Sequence, residues 1–354
     1  MTMSSLFHAA DNDAGHDSPA STTHAAAGDG PVSPGDRLRA LYDKLHDVLS
    51  CPAESLELAV VTLAAGGDLL LEDVPGVGKT TLAKALARAI GGDMHRIQFT
   101  ADMLPGDITG MSVFSPKTQA FDFHPGPVFA NIVIADEINR ANPKTQAALL
   151  EAMGERHVSV DGVTYPLPDP FFVIATQNPV EMEGTYPLPE AQLDRFMART
   201  SFGYPTRSRE IRMIVETGTA AVAEHRGDPT ATLEPVCTTA QMSAIQRAAR
   251  AVTLGEAVAG YIVDIADATR HDPSIRFGAS PRASLQLASL ARARALFHGR
   301  DYVLPEDVRE LAVPALAHRL AVAADAVGSA GDTRTMQQDL VSAVVADVRP
   351  PRAT

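Results

Sequence analysis

Apolar residues recur at helical spacing in some stretches of this chain and in short continuous runs in others. Helical spacing begins near Asp36, and a second helix runs from about Glu54 to Gly66-Gly67. Short apolar runs then alternate with further helices, which is the pattern of an α/β fold with a parallel sheet. The predicted strands are Leu69–Leu71, Arg96–Phe99, Ile132–Ala135, Phe171–Thr176 and Arg199–Phe202.

The pattern changes after Tyr204-Pro205, where only helical spacing continues. The predicted helices are Arg207–Thr217, Thr239–Ala251, Ala257–Thr269, Pro281–His298 and Pro305–Ala312. We therefore predict an α/β domain over 35–206 and a helical domain over 207–325. A last helix carrying Val341, Val344 and Val345, followed by a frayed tail, is predicted over 326–354.

Two insertions interrupt the α/β pattern. The first, about 108–127, contains Phe114, Phe121 and Phe123 around a polar tip. These aromatic side chains either grip a partner or pack the insertion onto its own core, and the sequence leaves both open. The second, about 155–168, contains Asp161-Gly162 between two short strands of alternating polarity, which indicates a β-hairpin.

The first 34 residues have almost no large apolar side chains, so burial would not offset the entropy lost on ordering. We predict a disordered tail. Its three evenly spaced histidines, His8, His16 and His24, are conceivable metal ligands, but incidental histidines in a disordered segment are the favoured interpretation.

The remaining composition excludes several classes of protein. A formal net charge of -13 over 354 residues disfavours broad electrostatic binding of nucleic acid. Cys51 and Cys237 lie too far apart in sequence to indicate a metal cluster or a disulfide framework. No apolar run reaches the length of about 18 residues that a membrane span needs, and no signal peptide is recognisable. We expect a cytoplasmic protein with no direct membrane insertion.

A glycine-rich loop between the first predicted strand and a helix carries the most informative chemistry. Glycines let backbone N–H groups approach a phosphate, and the helix N-terminus adds a favourable dipole. Lys79 is predicted to reach the β- and γ-phosphates of a nucleotide, and the Thr80 hydroxyl to bind Mg²⁺. The strict form of this loop has glycine where this chain has Asp73. The predicted nucleotide-binding residues are Pro75, Gly76, Val77, Gly78, Lys79, Thr80, Thr81 and Asp136.

Two later strands end in polar residues. Ile132–Ala135 is followed by Asp136 and Glu137, which predicts a metal-binding carboxylate and a carboxylate that polarises the attacking water. Asn178 follows the next strand and is placed to orient that water, although Asn-Pro taken alone is more often a turn.

Two arginines complete the candidate catalytic set. Arg195 follows the run Pro189–Asp194, and Arg282 opens a predicted helix after Pro281. A permanently charged guanidinium suits the charge that develops on a phosphoryl group. By chemistry alone, however, each is more often a surface ion pair.

The order of these motifs and their amino-acid sequences resemble those of the MoxR family of AAA+ ATPases. The phrases that carry the resemblance are Leu71–Thr80, Leu104–Asp107, Ala135–Ala141, Ala175–Pro179 and Leu188–Phe196. The resemblance implies an AAA+ P-loop core followed by a small helical lid. Asp73 is then no anomaly, because the shorter Pro-Gly-x-Gly-Lys-Thr form of the loop is usual in the family. It makes Lys79 and Thr80 Walker A, Asp136 and Glu137 Walker B, Asn178 sensor 1, Arg282 sensor 2 and Arg195 an arginine finger. The insertions match the helix-2 insert and the pre-sensor-1 hairpin.

The resemblance also implies a way of working. An arginine finger that acts on a neighbour requires a homo-oligomeric ring, expected to be a hexamer. Such a ring would hydrolyse MgATP to remodel a protein client, together with a partner that has a von Willebrand factor A domain. Two alternatives stay open: a DNA-translocating, helicase-like motor, and an ATP-dependent binding switch with little hydrolysis. The acidic tip Asp161-Gly162 argues against the first, and Glu137 with Arg195 against the second.

Overall fold

A computed structural model describes residues 32–74, 76–178, 184–217, 228, 230–323 and 332–351. Its first part alternates helices and strands in this chain order: α1 (Pro34–Val48), α2 (Ala53–Ala65), β1 (Leu69–Glu72), α3 (Lys79–Ala89), β2 (Met94–Gln98), α4 (Pro105–Thr109), β3 (Gly110–Ser115), β4 (Ala120–Pro125), β5 (Ile132–Asp136), α5 (Pro143–Glu155), β6 (His157–Val160), β7 (Val163–Pro166), β8 (Phe172–Gln177), α6 (Glu190–Leu193) and β9 (Ala198–Thr200). The second part is mainly helical: α7 (Arg207–Thr217), α8 (Thr239–Ala251), α9 (Glu256–His271), β10 (Ile275–Phe277), α10 (Pro281–Phe297), α11 (Pro305–Leu316), β11 (Ala321–Val322) and α12 (Thr333–Asp347).

The central sheet has five parallel strands in the order β2-β5-β8-β1-β9. The inner strands β1, β5 and β8 are buried on both faces, which is why they read as apolar runs, whereas the edge strands β2 and β9 carry polar residues. Leu69 and Leu71 enter one hydrophobic cluster, whereas Leu70 between them enters the other. The parallel arrangement brings the carboxyl ends of all five strands to one edge, where ligands bind in such sheets.

The cluster on one face of the sheet continues through α1 and α2 into the helical part. Leu287 and Leu290 of α10 are fully buried in it, and Gln246 of α8 donates a hydrogen bond to the Leu63 carbonyl of α2 over 2.8 Å. Cys51 and Cys237 are both buried in this cluster. The fold is therefore an α/β sheet layer joined to a helical layer through shared apolar packing.

Most predicted elements are present, with shifted ends. Helix α1 begins at Pro34 rather than near Asp36, because Ser33 caps it by accepting from the Asp36 N–H over 3.1 Å. Helix α4 and the small β10–β11 sheet were not predicted. Helix α12 buries Val341 and Val344, as expected for a docked last helix. The first 31 residues, with the three histidines, lie outside the described part of the chain.

The two insertions form antiparallel hairpins, β3–β4 and β6–β7. The rings of Phe123 and Tyr165 stack at a centroid distance of 4.0 Å and so join the hairpins. Phe114 and Phe121 instead contact each other and are 51% and 72% exposed. Packing within the molecule therefore accounts for Phe123 but leaves these two side chains in solvent. Among the helices described, none is long and apolar enough to cross a membrane.

Candidate nucleotide-binding site

The glycine-rich loop connects β1 to the N-terminus of α3. Gly76 and Gly78 have φ angles of 84° and 92°, a region that favours glycine. Gly78 is the N-cap of α3 and has no side chain to occupy the helix N-terminus. A Cβ atom built on either glycine would meet no atom of the described chain within 4 Å, so the positive φ rather than crowding favours glycine there. The loop is thus shaped to present backbone N–H groups to an anion.

Lys79 lies at the start of α3 with its ammonium over the loop. Its Nζ donates a hydrogen bond to the Asp73 carbonyl over 2.9 Å. Burial lowers the pKa of Lys79, while the carboxylates of Asp136, Asp73 and Glu137 act in the opposite direction. A partly desolvated cation beside a helix N-terminus favours a multiply charged anion such as the phosphate chain of a nucleotide.

Asp136 ends β5, between the carboxyl ends of β2 and β8. Its Oδ1 accepts a 2.6 Å hydrogen bond from the Thr176 hydroxyl of β8. Its Oδ2 accepts from Arg96 of β2, over 2.6 Å from Nη2 and 3.2 Å from Nε. A carboxylate offers about four lone-pair positions, so one on Oδ1 stays available. Asp136 is therefore held rigidly and still fits a metal, directly or through water.

Glu137 follows in a left-handed conformation, with φ 57°. Its N–H donates to the Thr176 hydroxyl over 2.9 Å, so a single threonine fixes both acidic residues. The Glu137 Oε2 accepts from Gln98 Nε2 and from Arg140 Nε, each over 2.9 Å. These two donors hold the carboxylate at the edge of the site. The carboxylate can act as a base only when its bonds to them are exchanged.

A cavity of about 380 Å³ lies where these elements meet. It collects most residues that the sequence predicts for nucleotide binding and water activation, together with two of β2 that it does not. Its lining is Gly76, Gly78, Lys79, Thr80, Thr81, Arg96, Gln98, Asp136, Glu137 and Asn178. Val77 instead packs against the core, and Pro75 lies outside the described residues. Asn178 is almost completely buried at the end of β8.

The two candidate arginines do not line this cavity. Arg195 Nη1 donates to the Leu150 carbonyl of α5 over 2.5 Å. Ser280, the N-cap of α10, donates to both carboxylate oxygens of Asp194 over 3.0 and 3.1 Å, which ties the start of α10 to the turn that carries Arg195. Arg282 is exposed two residues further on. The Ser280–Asp194 contact therefore brings the segments that carry the two arginines together, and neither arginine lines the nucleotide cavity of its own chain.

Four contacting residues were missed by the sequence reasoning: Arg96, Gln98, Arg140 and Thr176. A weak signal was present in β2, where Arg96 and Gln98 are two polar residues two apart and so point to one side of the strand. Thr176 is polar at the end of an otherwise apolar run on β8, but the local sequence does not show its partner, because its role depends on β5 lying beside it.

A parallel sheet with a glycine-rich loop after its first strand and two acidic residues after another defines a P-loop nucleotide-binding protein. The family model described as "ATPase family associated with various cellular activities (AAA)" matches residues 68–198, and an AAA lid domain model matches residues 267–353.

Known proteins narrow the class further. The chain is 45% identical over 321 residues to the uncharacterized protein YeaC of Bacillus subtilis, covering 88% of this chain and 98% of YeaC. It is 44% identical over 281 residues to chaperone MoxR1 of Mycobacterium tuberculosis, covering 77% of this chain and 72% of that protein. A crystal structure of a Cytophaga hutchinsonii protein assigned as an ATPase superposes with a TM-score of 0.80 at 35% identity, covering 90% and 96% of the two chains. The chain belongs to the MoxR family of AAA+ ATPases.

Proposed function

We propose that the protein binds and hydrolyses MgATP. The observation that carries this proposal is the convergence of Lys79, Asp136, Glu137 and Asn178 in one cavity beside the glycine-rich loop. This combination supplies a cradle and a cation for phosphates, a metal-binding carboxylate, a base for water and an amide to orient it. Mg²⁺ held by Thr80 and Asp136 would neutralise charge on the phosphate oxygens.

In this proposal Glu137 exchanges its bonds to Gln98 and Arg140 for a bond to the attacking water, and so accepts a proton at its carboxylate. Asn178 orients the same water from the neighbouring strand. A binding switch would need no base and no water-orienting amide, so the site favours hydrolysis over the switch alternative.

We further propose that the protein acts as a homo-oligomeric ring, with a hexamer as the expected form. Arg195 does not line the cavity of its own chain, so a neighbouring subunit is the natural recipient of its charge. An arginine supplied in trans stabilises charge on the transferred phosphoryl group, and head-to-tail contacts of this kind close into rings.

The proposed work of the ring is to remodel a protein client in the cytoplasm, with a von Willebrand factor A domain partner. The name of the relative MoxR1 as a chaperone supports a protein client. The hairpin β6–β7 carries no lysine or arginine, and its tip is Asp161-Gly162. A motor that grips phosphate backbones needs cations at such a tip, so this hairpin disfavours the helicase-like alternative.

The test of the catalytic proposal separates binding from cleavage. Lys79→Ala should weaken ATP binding, because the phosphates lose their cation. Glu137→Gln should bind ATP and release no phosphate. Titration with a fluorescent ATP analogue measures the first, and steady-state phosphate release with and without Mg²⁺ measures the second. Normal turnover by the Glu137→Gln protein would refute the assignment.

The client is tested with the same non-hydrolysing variant. Glu137→Gln held in ATP should retain a protein client or partner on pull-down, and mass spectrometry would identify it. A DNA titration at moderate salt runs beside it. Tight, salt-sensitive DNA binding that stimulates ATPase activity, with no protein retained, would favour the helicase-like motor instead.

A further inference from the structure

Asp73 begins the glycine-rich loop at the position where the strict motif has glycine. Its side chain is only 6% exposed, so the carboxylate needs hydrogen-bond donors to compensate for its burial. The donors are backbone N–H groups of a distant segment. Phe202 N–H donates to Oδ2, and Gly203 N–H lies 3.2 Å from both carboxylate oxygens.

The two donors belong to the connector, which we define as residues 201–206 between β9 and α7. The connector is the chain's passage from the sheet to the helical part. Gly203 has a φ of 64° there, so the backbone bends where Asp73 holds it. The carboxylate therefore fixes the start of the loop to the bend from which the helical part continues.

The backbone of Asp73 makes two further contacts. Its carbonyl is the acceptor for Lys79 Nζ, at 2.9 Å. Its N–H donates to the Gln177 carbonyl over 3.2 Å, one residue before Asn178. One residue thus touches the lysine that senses phosphate, the strand that presents the water-orienting amide, and the connector.

The other end of the loop–helix unit is also attached to the helical part. Near the end of α3, Arg88 donates to the Thr230 hydroxyl over 2.9 Å and lies 3.4 Å from the Asp228 carboxylate. Val236 N–H donates to the Ala89 carbonyl over 2.8 Å. The loop and α3 are therefore attached at both ends to the polypeptide that enters the helical part.

We propose that Asp73 is a positioning residue that couples phosphate binding at Lys79 to the angle of the helical part. This inference rests on the proposed ATP site. When Lys79 donates to phosphate oxygens, its bond to the Asp73 carbonyl is exchanged, and the start of the loop is free to shift. Because the carboxylate of the same residue holds Phe202 and Gly203, the shift moves the connector.

The test uses the full-length protein with Asp73→Gly and Asp73→Asn. Asp73→Gly restores the strict glycine-rich motif, so the phosphate cradle is kept while the hold on the connector is removed. Asp73→Asn keeps the size of the side chain but loses its charge and one of its two acceptor oxygens, so that an amide NH2 faces the Gly203 N–H. Asp272→Asn is the matched control, since the Asp272 carboxylate accepts from a backbone N–H, that of Ser274 at 2.7 Å, in a turn of the helical part.

Hydrogen exchange by mass spectrometry reports on the peptide that contains Phe202 and Gly203, with no nucleotide, with ADP and with a slowly hydrolysed ATP analogue. In the wild type and in Asp272→Asn, protection of this peptide should depend on the nucleotide. In both Asp73 variants this peptide should exchange about tenfold faster or more, because hydrogen bonds to a charged acceptor are lost. Its exchange should also no longer depend on the nucleotide. The kcat for ATP should fall while the Kd for ATP changes little.

The two Asp73 variants also distinguish coupling from a merely structural role. Loss of thermal stability with nucleotide-dependent protection and kcat both retained would overturn the coupling. Failure of the wild type itself to bind or hydrolyse ATP would overturn the proposed function instead, and a folded Asp73→Gly protein that behaves as the wild type would overturn the coupling alone.

Discussion

Thr176 offers the sharpest test of how the acidic end of the site is built. It is completely buried, donates to Asp136 over 2.6 Å, and accepts from the Glu137 N–H over 2.9 Å. Thr176→Val keeps the shape of the side chain and removes both bonds. A hydrogen bond to a charged group contributes about 1.5–3 kcal/mol and a neutral one about 0.5–1.5 kcal/mol, so the expected loss of stability is about 2–4 kcal/mol.

That loss corresponds to a Tm lower by about 4–8 °C, at about 2 °C per kcal/mol for a chain of this size. The kcat for ATP should fall about tenfold or more, because each 1.36 kcal/mol lost from the transition state is a factor of ten and both carboxylates lose their alignment. Thermal unfolding followed by circular dichroism and steady-state phosphate release are the two measurements.

Thr62→Val is the matched control. Thr62 is also completely buried, and its hydroxyl donates to the Leu58 carbonyl over 2.6 Å within α2. A carbonyl within a helix normally also accepts a backbone hydrogen bond, so losing the bond from the Thr62 hydroxyl should cost about 1 kcal/mol or less. A Thr176→Val protein with the Tm and kcat of Thr62→Val would refute the reasoning.

Three further predictions concern subunit contacts, pH and the insertion. Arg195→Ala should lower turnover far more than ATP binding, by about 10³ for a true arginine finger, and mixing it with Lys79→Ala subunits should restore activity; no rescue in rings shown to be mixed would contradict action in trans. Burial, with Arg319 and Arg199 nearby, lowers the pKa of His318 well below 6.5. Below pH 6.5 the unfolded chain takes up a proton that the folded protein does not, so the free energy of unfolding falls by about 1.4 kcal/mol per pH unit down to the folded pKa. Urea titrations should therefore show a steeper loss of stability in acid for the wild type than for His318→Gln. The double change Phe114→Ser and Phe121→Ser should leave the Tm nearly unchanged, because both rings are exposed. In the Glu137→Gln background it should abolish client capture. Undiminished capture would show that these rings do not bind the client.

The sequence alone was sufficient for the sheet and for most of the cavity. Three apolar runs of strand length predict the three inner strands, because a strand buried on both faces is apolar at nearly every position. The two outer strand candidates, Arg96–Phe99 and Arg199–Phe202, mix polar and apolar residues. The predicted site residues come directly after such a strand or after the loop that follows it; they are Lys79, Thr80, Asp136, Glu137 and Asn178. In a parallel sheet the strand ends share one edge, so local patterns are enough to bring these residues together.

Contacts between strands and between layers were decided only in the tertiary structure. Thr176 meets Asp136 because β8 and β5 are neighbours in space, although 40 residues separate the two side chains. Asp73 meets Gly203 across 130 residues. The hydrophobic period reports whether a residue faces the core, but it carries no information about which polar group lies opposite. The placement of Arg195 and Arg282 away from their own cavity depends likewise on how the helical layer docks, and docking follows from the packing of whole surfaces rather than from any local run of residues.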